Sequence, residues 1–227
     1  MPRETVFVIA ALNMAASSVV AQADSSEENR RLAGIAAGIG VTLVLATDIV
    51  DYINLRYLPA SRLDDFSSAA EFYGAGEMQF SESWGVKIEY AFLLKSYSVT
   101  QQQGPDILFS YGVHMPTAVA QRIFRGDGYD FKLGGGLGYA IAQFSEEASS
   151  YPSNEYTSHG VGLKLETEAD TEFDDHLFGH IAVDARKTVM SPFRRSDGTE
   201  LPIPVRNRSA SMNFFSLGLK FGLMYYF

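Results

Sequence analysis

The sequence contains no cysteine, which excludes a disulfide-stapled scaffold, a cysteine zinc site and a cysteine nucleophile. Basic residues are in deficit: 18 Lys and Arg against 27 Asp and Glu leave a net charge of −9. A nucleic-acid binder needs clustered cations to neutralise phosphates, so that class is set aside. No segment reads as a membrane-spanning helix. The apolar run from Val6 to Val20 is interrupted by Asn13 and falls short of the roughly 20 residues such a helix requires. Abundance lies elsewhere, in 20 glycines, 12 tyrosines and 16 phenylalanines among 227 residues.

The N-terminal run ends in Ala21-Gln22-Ala23, a small-residue cleavage pattern, and a polar stretch follows. Residues 1–23 therefore read as an export signal, and residues 24–32 as a periplasmic segment ahead of the folded domain at 33–227. Arg3 and Glu4 cancel, so the exported chain keeps the same net charge.

From residue 33 onward the pattern repeats with a period of two, the signature of strands half in an apolar and half in a polar environment. At the end of the chain Phe215, Leu217, Leu219, Phe221, Leu223, Tyr225 and Phe227 fall on one face, and Ser216, Gly218, Lys220, Gly222, Met224 and Tyr226 on the other. The alternation predicts eight strands, near 33–46, 70–80, 84–99, 107–123, 129–145, 159–170, 176–190 and 210–227. Connections around Ser81–Ser83, Arg125–Gly128 and Thr171–Asp175 are turn-like, and those at 47–69, 100–106, 146–158 and 191–209 are longer. Short turns on one rim and long loops on the other fit an antiparallel up-and-down transmembrane β-barrel with periplasmic turns and extracellular loops.

The polar faces carry Glu71, Glu77, Lys87, Glu89, Lys95, Lys132, Lys164, Glu166, Glu168, His180, Asp184, Arg186 and Lys220. Charges of that number cannot line an oily cavity, which argues against an inward apolar face of the lipocalin kind. The small residues Gly34, Ala36, Gly38 and Gly40, and Gly134, Gly136, Gly138, Ala140 and Ala142, share the polar face and leave room for long charged side chains. The charges are accordingly placed in the lumen, where they plug it. Aromatic residues are expected at two membrane interfaces: Phe80, Trp84, Tyr129, Phe131, Phe178, Tyr225 and Phe227 near the short-turn rim, and Tyr97, Phe109, Tyr111, Phe214 and Phe215 near the long-loop rim.

The last eight residues, Lys220-Phe221-Gly222-Leu223-Met224-Tyr225-Tyr226-Phe227, look like the C-terminal β-signal of outer-membrane proteins, with Lys220, Gly222, Tyr225 and Phe227 at its defining positions. With the export signal and eight strands, the chain resembles the small bacterial outer-membrane barrels of OmpA/OmpX type. The resemblance implies an outer-membrane location and recognition by the barrel assembly machinery through strand addition. No peptidoglycan-binding domain follows the last strand, so the OmpA anchoring role is not carried over. Members of such families are adhesion or stress proteins, narrow pores or lipid-modifying enzymes.

Other motifs have plain readings. Arg125-Gly126-Asp127 is an RGD tripeptide, but Gly126, Asp127 and Gly128 are what a tight turn needs. The Gly134-Gly135-Gly136 run has neither the helix nor the Lys-Ser/Thr ending of a phosphate loop. Asn207-Arg208-Ser209 is a fortuitous glycosylation sequon. His114, beside Pro116 and a suggested bulge, and His180 are read as members of the lumen network. Ser158, His159 and Glu155 are loose candidates for a lipid-modifying site, although neighbours on a strand point opposite ways. In the first loop, Ile49, Val50, Ile53 and Tyr57 recur at helical spacing and predict a short helix capping the barrel or lying on the membrane. In the fourth, Arg194, Arg195, Arg206 and Arg208 are candidates for contact with lipopolysaccharide phosphates. The expected function is that of a structural or surface-interaction protein with a plugged lumen. The alternatives are a narrow ion or solute channel and, less favoured, a lipid A-modifying enzyme. A monomer in contact with outer-membrane lipid and lipopolysaccharide, with no catalytic site, metal or cofactor, completes the expectation.

Overall fold

The computed structural model describes residues 32–57, 62–64, 66–100, 106–148, 151–204 and 206–227. The expected export signal, and nearly all of the segment expected to follow it, lie outside the described residues. The elements in order are β1 (Ala33–Leu45), α1 (Thr47–Tyr57), β2 (Phe66–Ser81), β3 (Trp84–Val99), β4 (Ile107–Gly126), β5 (Tyr129–Ala148), β6 (Tyr151–Asp174), β7 (Leu177–Met190), the two-residue strands β8 (Pro202–Ile203) and β9 (Arg208–Ser209), and β10 (Phe214–Tyr226). Eight of them close a ring in the order β1-β10-β7-β6-β5-β4-β3-β2, every neighbour antiparallel, and β8 and β9 pair separately. Chain neighbours are ring neighbours throughout, so the barrel is an up-and-down one.

Sequence alternation becomes wall geometry directly. Successive strand residues point to opposite faces, so Ile35, Ile39, Val41 and Leu43 on β1 stand outward and exposed with Leu163 and Leu165 on β6 and Leu217, Leu219, Phe221 and Leu223 on β10. Leu137 and Leu165 leave 67% and 68% of their surfaces uncovered. A continuous apolar belt of this size has no place in water and requires lipid around it. The tight turns sit where the turn residues predict them, with Gly128 at φ 75°, a conformation glycine adopts without strain.

The strands are unequal. β1, β7 and β10 have 13, 14 and 13 residues, whereas β4, β5 and β6 have 20, 20 and 24. About 10 tilted residues cross a bilayer, so β4–β6 rise well past the apolar belt. There the outward positions turn polar (Ser110, Gln143, Ser145, Glu147, Glu155) and the inward ones apolar (Phe109, Tyr111, Phe144, Tyr156). The raised wall shelters α1 and the 191–213 segment, which together form a head with its own core. Ile49, Val50 and Ile53 of α1 and Phe193, Leu201 and Met212 are fully buried within it. Tyr52 meets Phe144 edge-on at 6.1 Å, and Phe144 stacks on Phe109 at 6.0 Å. Backbone bridges Thr157↔Arg194 and Pro192↔Ser211 fasten the segment to the wall and to itself.

Four expectations are corrected. The long-loop aromatic band is not a membrane interface. Phe109, Tyr111 and Phe214 are buried in the head and Tyr97 is partly so, which leaves Phe215 outward. Above the lipid the outside faces water, so the apolar side of each strand is the inner one. Phe178, at the other rim, is likewise buried and lies edge-on to Tyr226 at 5.1 Å. His114 faces outward, hydrogen-bonded to Tyr90 at 2.6 Å and stacked on Phe92, and the β4–β5 register passes Pro116 without a shift. On β4 the inner face is the more apolar one (Phe109, Val113, Met115, Val119) and the outer carries Gly112, Pro116, Ala118 and Ala120, so hydrophobicity alone reverses the assignment. The third loop is largely ladder, since β5 runs to Ala148 and β6 starts at Tyr151.

The closing β1–β10 ladder pairs Gly38 with Gly222, and a methyl on Gly38 would strike the Phe221 carbonyl, the Gly222 Cα and the Tyr73 hydroxyl. Gly38→Val is expected to destabilise the refolded barrel by about 1–3 kcal/mol, as overpacking does. The unfolding midpoint in urea, followed by loss of heat-modifiable gel mobility, measures this.

Candidate functional site: a paired-charge lumen

Below the head the barrel interior is filled by ionisable side chains. Inward positions on β2, β3, β5, β6 and β7 supply eight buried acids: Glu71, Glu77, Glu89, Asp130, Glu166, Glu168, Asp170 and Asp184. Five buried cations face them, Lys87, Lys132, Lys164, Arg186 and Lys220, together with His180.

The network climbs from the short-turn rim. Lowest, Arg125 reaches Gln79 and lies 3.8 Å from Asp130. Above it the Lys132 ammonium donates to both Glu77 oxygens at 2.7 and 2.6 Å and to the Tyr226 hydroxyl at 2.9 Å, and pairs with Asp170 at 2.7 Å. His180 Nδ1 holds the other Asp170 oxygen at 2.6 Å, and its Nε2 is 4.0 Å from Glu168. In the middle Lys87 bridges Glu168 and Glu166, while the Gln121 amide donates to Glu168 at 2.7 Å. Lys164 ties Glu166 at 2.5 Å to Glu89 at 2.7 Å. At the top Lys220 joins Glu89 at 2.8 Å and Asp184 at 3.0 Å, and Arg186 joins Glu71 at 2.6 Å and Asp184 at 2.8 Å. Thr42 donates to the second Glu71 oxygen at 2.5 Å and ends the chain.

Small residues make this density possible. Gly134 and Gly136 on β5 lie against the Val119 side chain of β4, so large and small alternate across the wall. A void of water size remains beside Lys164 and Arg186, lined also by Met115, Thr117 and Thr188. Glu89, Glu166 and Glu168 bring carboxylate oxygens close enough to share a cation. The Lys87 ammonium pairs with all three of them, and that of Lys164 with Glu89 and Glu166.

Twelve of the thirteen lumen residues read from the sequence converge here. Lys95 does not. It faces inward but sits above the network, its ammonium 5.2 Å from the Tyr97 ring centroid. Asp130 and Asp170 are additions that the alternation already contained, two residues before Lys132 and two after Glu168. Tyr226 and Gln121 were harder to foresee, since a phenol and an amide carry no charge pattern.

The head holds the second group of predicted residues. Glu146 accepts hydrogen bonds from Tyr52 at 2.9 Å and from Tyr57. Arg206 pairs with Asp51 at 2.7 Å and Arg208 with Asp48 at 2.7 Å, so both clamp α1. Arg194 pairs with Glu200 at 2.8 Å, and Arg195 donates to Asn154 and Tyr156, each at 2.9 Å. Ser158 points inward to the Ser191 carbonyl at 2.5 Å, while His159 is exposed and stacks on Tyr139, so the two do not meet. Of the β-signal positions, Lys220 and Gly222 face the lumen and Tyr225 and Phe227 face outward.

This geometry defines a transmembrane β-barrel with a filled lumen. No protein-family model matches the sequence, and no curated protein does. Solved structures are similar. Neisserial surface protein A has 11% identity and a TM-score of 0.50, over 86% of this chain and 97% of that one. A major outer-membrane protein of Thermus thermophilus has 12% identity and a TM-score of 0.50, over 86% and 99%. The attachment invasion locus protein of Yersinia pestis has 14% identity and a TM-score of 0.48, over 86% and 97%. In fold, the chain is an eight-stranded antiparallel up-and-down barrel, similar to the small barrels of bacterial outer membranes.

Two outcomes follow. Lys132→Met strands Glu77 and Asp170 and is expected to cost about 3–5 kcal/mol, read as a fall in the urea midpoint, with the Lys132→Met/Glu77→Met double variant recovering part of it. In the head, burial first and the Glu146 hydrogen bond next push the Tyr57 phenol up to about 12. Its raised value means that the protonated form stabilises the head below the ordinary tyrosine range near 10 and that this is lost as pH climbs through about 12. About one unit above the ordinary value, the tyrosinate absorbance of the unaltered protein and of Tyr57→Phe should coincide. The two curves should separate only as pH passes about 12.

Proposed function

We propose that the protein is a non-conducting outer-membrane barrel whose role is to hold an ordered head at the cell surface, as an envelope or surface-interaction protein. The observation that carries this reading is double closure. Paired charges occupy the membrane-level lumen, and the apolar cluster of Leu93, Val113, Phe109, Phe144 and α1 lies across the exit above it. An ion crossing the barrel would have to break the pairs and then pass an apolar layer, which is costly at both steps.

The narrow-channel reading has one observation in its favour, the unbroken series of ionisable groups from Arg125 to Arg186. It needs α1 to leave the head, and two arginine–aspartate pairs and two tyrosine–glutamate hydrogen bonds oppose that. Lipopolysaccharide is the partner class suggested by the fourth loop. The side chains of Arg194, Arg206 and Arg208 remain 62%, 45% and 47% exposed while their carboxylate partners hold them in place. Replacing all four loop arginines by Gln is expected to weaken lipopolysaccharide binding, and unchanged binding would remove this contact from the proposal.

The purified barrel in planar bilayers is expected to give no discrete conductance steps. Arg206→Gln/Arg208→Gln is expected to expose α1 to protease without altering the barrel. Stepwise conductance by the unaltered protein would overturn the plugged reading in favour of the channel.

A further inference from the structure

Two arginines lie three residues apart on β4 and meet opposite fates. Arg125 turns inward and is taken up by Gln79 and Asp130. Arg122 belongs to the outward series Ala118, Ala120, Arg122, Phe124. Its register partner across the ladder is Trp84, the first residue of β3. Among the described residues its guanidinium meets two rings and no carboxylate: it lies 5.2 Å from the Trp84 ring and 6.0 Å from that of Phe124.

We propose that Arg122, framed by Trp84 and Phe124, binds the phosphate of an anionic phospholipid on the outer wall at the short-turn rim. The proposal rests on the membrane placement argued above. A cation on the lipid face costs about 2–4 kcal/mol at the bilayer midplane and about 0–1 near the interface, so this arginine belongs at headgroup depth. Its neighbours say the same: Phe80, Tyr129 and Phe131 stand outward and exposed at that rim, where amphipathic and aromatic rings collect. Cation–π attraction draws the guanidinium to the two rings, and no carboxylate among the described residues takes up its N–H edge. That edge is a fork of parallel donors matched to two phosphate oxygens. Directly above, Ala118 and Ala120 on β4 and Val86 and Ile88 on β3 offer an apolar surface along which acyl chains can lie. Net negative headgroups are favoured over zwitterionic ones, whose own ammonium already answers the phosphate. Free phosphate would gain nothing from the apolar surface, so the lipid is the occupant.

Trp84 is the only tryptophan in the chain and forms part of the proposed site. Its fluorescence therefore reports which lipid sits there. The barrel is refolded into mixtures of phosphatidylcholine with either brominated phosphatidylglycerol or brominated phosphatidylcholine, and quenching gives the relative association constant. An arginine near a membrane surface gains about 1 kcal/mol from an anionic lipid, so about a fivefold preference for phosphatidylglycerol is expected. Arg122→Gln should bring the preference close to one, and Arg122→Lys, which keeps the charge without the planar fork, should retain part of it. Heat-modifiable mobility shows that each variant is folded. Equal quenching by both lipids in the unaltered protein, or an undiminished preference in Arg122→Gln, overturns the site while leaving the membrane placement intact. Absence of quenching by either lipid overturns the placement itself.

Discussion

The rest of the structure depends on charge pairing inside a ring too narrow for water to do the pairing instead. Eight strands enclose only enough space for side chains. With the outer wall apolar for lipid, strand alternation sends the charged residues at membrane level to the inside. The acids and bases there are tolerable because they touch partners across the barrel: Lys132 of β5 meets β2, β6 and β10, and Arg186 of β7 meets β2. These contacts tie non-adjacent strands together through the lumen, something the backbone ladder cannot do. They also fix the glycines, since the side chains that cross need the space that Gly34, Gly134 and Gly136 leave.

Along its axis the molecule reverses its inside. At membrane level the exterior is oily and the interior ionic. Once β4, β5 and β6 rise beyond the apolar belt, the exterior becomes Ser, Gln and Glu and the interior becomes Phe, Tyr and Ile. Each strand keeps one alternation throughout, and only the surrounding medium changes. The change explains why a single continuous sheet holds two cores of opposite chemistry, and why the upper one closes the lumen of the lower.

Strand number, ring closure, turn positions and the ionic lumen were legible in the sequence, because alternation and the placement of Lys and Glu are local signals. The helix at 47–57 was legible for the same reason, from Ile49, Val50 and Ile53. What was not legible was where the lipid ends. Phe109, Tyr111 and Phe214 look like interface aromatics until the wall is seen to continue past them into water. The reversal of β4 has a related cause: its inner face serves the head core and its outer face is small, so His114 falls on the less apolar side of the strand. The clamp between the fourth loop and α1 joins Arg206 to Asp51, 155 residues away, a distance at which spacing carries no information.

That clamp also sits in a particular place. α1 hangs directly from β1, and the fourth loop leads directly into β10, the two strands whose pairing closes the ring. The ion pairs Arg206–Asp51 and Arg208–Asp48 therefore span the closing seam from above. Neither pair can assemble while the first and last strands are apart, so an ordered head is a by-product of a finished barrel. A chain stalled before closure would present a loose helix and bare arginines at the surface, and would be distinguishable from a completed one by its outer loops alone.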